Sequence, residues 1–171
     1  MSVADDAVTV DTSPARISGV MAVLASIVAV GAATLVSMLA LIFGILGILG
    51  IAAGATVGSR PAVSIGSASL VVALLIGGGF GTPVEMMLVA IIAVVLAWDL
   101  GHYAIEMGEQ LGRTAPTHKA ELAHAGGSTF VGILAAGFGY AVYTGAPTEQ
   151  PISALIFLLI GAVFFAWVIR T

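Results

Sequence analysis

The sequence predicts an all-α membrane protein of six transmembrane helices, with a cytoplasmic helical hairpin between the fourth and fifth. Three observations predict it. Of 171 residues, 60% are hydrophobic and 8% charged, with a mean hydropathy of +1.16, whereas roughly a quarter of the residues of a soluble domain are charged. No charge interrupts the run between Arg16 and Arg60, which is long enough for two spans of about 20 residues. Finally, a six-span layout puts all five basic residues, Arg16, Arg60, Arg113, Lys119 and Arg170, on one side. By the positive-inside rule that side is cytoplasmic.

Residues 1–16 carry Asp5, Asp6 and Asp11 against Arg16 and read as a retained acidic cytoplasmic tail, because a secretory signal starts basic. Residues 17–171 then form one transmembrane domain. Lipid offers backbone groups no hydrogen-bond partners, so each apolar run must be helical. The first two spans fall at 17–35 and 37–57, joined by a tight connection, and the third at 62–79. The fourth covers 83–102, with Thr82 as cap, Pro83 at the first helical position and Glu85 completing a capping box. The fifth covers 126–143 and the sixth 151–169, after a loop around Gly145. Both termini are then cytoplasmic in a multi-pass plasma-membrane protein. Trp98 and Trp167 lie at the inner interface and Tyr140 and Tyr143 at the outer one.

The second span carries Gly44, Gly47, Gly50, Gly54 and Gly58, a smooth stripe that lets helices approach closely. Intramolecular packing is the favoured use of this stripe, and homo-oligomer contact the other. Gly77, Gly78 and Gly79 read as a fraying end of the third span.

Polar chemistry gathers in residues 99–125. At helical spacing Asp99, His102, Tyr103, Glu106, Glu109, Gln110 and Arg113 share one face of an extension of the fourth span, projecting by about 22 Å. Pro116 interrupts this helix, and Thr117 can cap a return helix carrying Glu121, His124 and Ser128. An antiparallel hairpin sets Glu121 and His124 near Glu109 and Glu106, with His102 opposite Ser128 and Thr129. The favoured reading is a solvated face that binds a partner, steadied by Glu109 with Arg113 and His102 with Glu106. The sharper alternative is a metal site built from His102, Glu106, Glu121 and His124, since acid-x-x-His pairs let one helix supply two ligands.

Composition excludes several classes. Five scattered basic residues make no nucleic-acid patch, and the absence of cysteine removes disulfides, thiolate zinc and iron–sulfur clusters. No Asp, Glu, Lys, Arg or His falls near a span midplane, against the needs of ion-coupled pumps. No serine or threonine has an evident base and orienting carboxylate, so neither an enzyme nor a cofactor is expected.

The segments Trp98-Asp99-Leu100-Gly101, Gly108-Glu109-Gln110-Leu111-Gly112-Arg113, Glu121-Leu122-Ala123-His124 and Val131-Gly132 resemble a family of small multipass membrane proteins from haloarchaea. That resemblance implies an accessory subunit encoded near MoxR-type ATPases, and carries over no catalytic residue. The expected function is a membrane accessory or scaffold subunit that presents its hairpin to a membrane or cytoplasmic partner. A small transporter or channel for a neutral solute is the alternative, followed by a metal-dependent membrane enzyme.

Overall fold

The computed structural model describes residues 12–34, 37–111 and 117–145. They form five helices: α1 (Arg16–Ala33), α2 (Met38–Val57), α3 (Arg60–Gly79), α4 (Val84–Leu111) and α5 (His118–Gly145). All five are long and apolar enough to cross a membrane. The expected sixth span, 151–169, lies outside the described residues, so five helices stand where six were expected.

The boundaries follow from local chemistry. Ser37 and Ser59 cap α2 and α3, each accepting a backbone N–H from the helix's first turn. Pro61 fits the first turn of α3, where its missing N–H costs nothing. Gly58 ends α2 with φ of 78°, the left-handed conformation that other residues adopt only with strain. Gly58 thus closes the helix and does not extend the glycine stripe.

Two expected boundaries change. Thr82 does not cap α4: its hydroxyl donates to Gly77 O at 2.8 Å and Ala33 O at 3.3 Å, tying together the ends of α3 and α1. Helix α4 accordingly starts at Val84, with Glu85 in its first turn. Residues 77–79 do not fray. They stay helical, because Gly77 is buried against the Ala33 carbonyl and Gly78 meets Met87.

Within residues 1–136, one of two contact units, α1 to α4 form a ring of antiparallel neighbours. Helix α2 packs most closely on α3 and α1 on α4, while α1–α2 and α3–α4 close the ring. The α2–α3 seam is made of glycines. A Cβ on Gly50 would lie 2.7 Å from Gly66 Cα, and one on Gly66 would lie 2.7 Å from Ile51 N. Gly47 receives Leu70, and Gly54 receives Val63. The stripe therefore serves intramolecular packing.

Much of the interior is alanine, around a few large side chains such as Ile51, Leu70 and Ile105, and many large aliphatics face outward. Ala22, Ala29, Ala40, Ala90, Ala97 and Ala104 are almost wholly covered, whereas Leu24, Leu46, Leu49, Ile65, Leu75 and Val95 are exposed. In water this arrangement forfeits the burial that drives folding, but beside lipid tails it costs nothing and frees helix backbones to approach. Three buried hydroxyls are satisfied locally: Ser26, Thr34 and Ser67 donate to carbonyls of the preceding turn. Ser69 reaches across to Phe43 O at 2.7 Å, linking α3 to α2.

Helix α5 runs from this unit into the second, residues 137–171. In the second unit Tyr140 and Tyr143 stack with ring centroids 6.3 Å apart, and Thr144 donates to Tyr140 O.

The glycine seam gives a direct test. Gly50→Val forces a side chain into the Gly66 backbone and should cost about 1–3 kcal/mol, the usual range for overpacking. Gly31→Ala, inside α1 where a Cβ meets nothing within 4 Å, should leave thermal stability in detergent equal or slightly raised, as alanine favours the helix.

Candidate functional site

The polar end of the ring is where α1 and α3 begin and α2 and α4 finish, and α5 starts beside it. Residues 99–111 and 118–125 are the continuous ends of two 28-residue helices, α4 and α5, each spanning about 42 Å at the helical rise. Residues 112–116, including Arg113 and Pro116, lie outside the described residues.

The start of α1 needs help. Ala15 occupies its N-cap position and has no side-chain acceptor, yet the segment is buried, with Ala15 N donating to Ala104 O at 2.8 Å. Gly108 lies directly beneath the Ser13 carbonyl and Pro14, a contact that a Cβ would block. A helix start buried without an acceptor leaves orphan N–H groups. Glu121 supplies the acceptor from α5.

One oxygen, Oε2, accepts the Ser18 backbone N–H at 2.7 Å and the Ser18 hydroxyl at 2.8 Å. The other, Oε1, accepts the Thr117 hydroxyl at 2.7 Å. Glu121 is 2% exposed, and its negative charge sits at the positive end of α1. It precedes the apolar run 126–143. Burial pushes the Glu121 carboxyl upward, but the Ser18 N–H, the Thr117 and Ser18 hydroxyls and nearby His118 outweigh it and hold its pKa below 4.5. Glu121 therefore does not face Glu109, as the antiparallel register suggested.

The expected single polar face of α4 divides in two. Asp99 and Tyr103, one turn apart, face α5. Asp99 Oδ2 accepts the Ser128 hydroxyl at 2.7 Å and lies 2.9 Å from His124 Nε2. That nitrogen is off the line a hydrogen bond requires and has no other partner among the described residues. Its contact with Asp99 is one of charge when the ring is protonated. Tyr103 stacks on His124 with centroids 3.9 Å apart and planes 6° from parallel.

His102, Glu106 and Glu109 turn instead to α3. His102 Nδ1 lies 2.9 Å from Trp98 O, which can only accept, so the ring donates there and its Nε2 takes the Ser64 hydroxyl at 3.3 Å. Arg60 reaches Glu109 at 2.8 Å and Glu106 at 3.7 Å. These contacts stand in place of the expected His102–Glu106 pair, while the expected Glu109–Arg113 pair falls on Arg113, outside the described residues. Both ends of each Arg60 pair are about half exposed, so each adds at most about 1 kcal/mol.

The structure thus separates His102, Glu106, Glu121 and His124 among α3, α1 and α4. Among the described residues no group of three or more His, Asp or Glu could hold a metal ion. Gln110, His118, Lys119 and Leu122 remain exposed at the rim. The Glu121–Ser18 bond was missed in the sequence, although it left a signal: α1 begins at Pro14-Ala15-Arg16, which offers no cap of its own.

A family model described as a family of unknown function (DUF7519) matches residues 12–166, and the chain belongs to that family. No curated protein and no solved structure matches it significantly.

Replacing Glu121 by Ala strands the Ser18 N–H and should cost about 3 kcal/mol of stability. The folded-state pKa lies below the unfolded one, so this stabilisation is complete above the unfolded value and fades as pH falls through the folded value. Melting curves in detergent across pH should show wild type losing stability on acidification below 4.5. E121A should lack that component, and an equal acid loss in both proteins would assign it to other groups.

Proposed function

We propose that this member of the DUF7519 family is a non-catalytic integral membrane subunit that presents the polar end of its helix bundle to a protein partner. The observation that carries the reading is how the polar residues are used. Asp99, Tyr103, His124 and Ser128 join α4 to α5, Glu121 joins α5 to α1, and Arg60 with Glu106 and Glu109 joins α3 to α4. These groups act as fasteners, and among the described residues their side chains are turned to holding helices together. The result is a braced platform at the ends of two long helices.

The partner surface is accordingly the rim formed by Gln110, His118, Lys119 and Leu122, with Glu106 and Glu109 at its edge. In this reading a sixth span at 151–169 completes the membrane domain, both termini are cytoplasmic in the plasma membrane, and 99–125 works as a cytoplasmic hairpin. An ATPase-associated assembly system is the class of partner that the resemblance implies. The rim mixes one lysine, one amide, one imidazole and exposed aliphatic carbon, a composition suited to a protein surface.

Two measurements test this. Reporters fused after Arg113 and at Gly145 should read cytoplasmic and external respectively, and the same side for both would remove the span count. Photo-crosslinkers at Lys119 and Leu122 in native membranes should capture one protein species, while one at Ile133 captures lipid. Lipid adducts alone from all three positions would sink the partner surface.

A further inference from the structure

At the polar end a groove of about 390 Å3 lies between the first half of α1 and the last turns of α2. Its floor is Gly19, Val23 and Ala55, its flanks Val20 and Leu24, and its mouth Arg16 and Thr56. The volume lies within the range of small-ligand sites, about 300–1,000 Å3. Everything along the floor is aliphatic or glycine, and Arg16 is the only charge in the lining. Arg16 is exposed and has no side-chain partner among the described residues, while Arg60 at the same end is taken by α4.

The shape has a direction. From Arg16 to Leu24 the groove follows α1 for about 12 Å, a little over two helical turns. It therefore runs inward from a cationic rim into an apolar slot, along the path of an acyl chain hanging from an interfacial headgroup. A water-soluble ligand gains little from such a slot beyond its mouth, and a protein helix is too wide to enter it, at about 10 Å or more across. We propose that this groove binds one anionic phospholipid, with an acyl chain along Gly19, Val23 and Ala55 and the phosphate at Arg16. The proposal rests on the membrane reading above, whose own test is the reporter pair.

The full chain, purified in detergent, is titrated with phosphatidylglycerol and with phosphatidylcholine of the same acyl chains, and bound lipid is counted by native mass spectrometry. Wild type should favour the first phosphatidylglycerol by about threefold to fivefold, the scale of one exposed ion pair. Arg16→Gln should abolish that preference and Lys119→Gln, a cation outside the groove, should keep it. Ala52→Phe, which fills the groove wall, should weaken both lipids. Absence of the preference in wild type, its persistence in R16Q, or its equal loss in K119Q would overturn the proposal. If A52F fails to fold, the two exposed-residue variants still decide.

Discussion

The arrangement of the polar end depends on one carboxylate. Helix α1 begins without a cap, in a place where water cannot supply one, and Glu121 meets that requirement from more than a hundred residues away. A buried acid is tolerable only when its charge is answered, and here a backbone N–H, two hydroxyls and a helix terminus answer it together. The same bond fixes α5 on α1. With α5 held there, Ser128 and His124 come within reach of Asp99, and Tyr103 comes within reach of the His124 ring.

Away from that end, specificity comes from size. Lipid tails are as apolar as leucine, so sorting large side chains inward gains little, and contact between backbones becomes the organising force. The α2–α3 seam shows this most clearly, because Gly47 and Gly50 on one side meet Gly66 on the other, and Gly54 meets Val63, with no room for a methyl group. Ser69 adds a hydrogen bond across the same seam. The two halves of the molecule thus cohere differently, one through shape and the other through charge.

Much of the architecture was legible in the sequence. Four of the five helices begin within about two residues of the expected starts, because an uninterrupted apolar run in lipid has only the helix available to it. The exception is α5, whose polar first turns were expected as a separate return helix. The glycine stripe was legible too, although its partner Gly66 was not, since facing positions depend on register between helices. The polar residues of α4 were found, but not their division. Helix α4 lies between α3 and α5, so positions 99 and 103 answer one neighbour and 102, 106 and 109 the other. A helical wheel for a single segment carries no information about how many neighbours share it.

The two-residue link at Gly58 and Ser59 also bears on how the chain is made. Helices α2 and α3 share their closest contacts with each other, and none of the seam waits on a later segment. They can therefore leave the ribosome, enter the bilayer and zip together as a hairpin while α4 is still unsynthesised. Arg60, at the hairpin's turn, meets Glu106 and Glu109 only once α4 has emerged. Arg60 is thus the catch that receives α4 on a hairpin already formed.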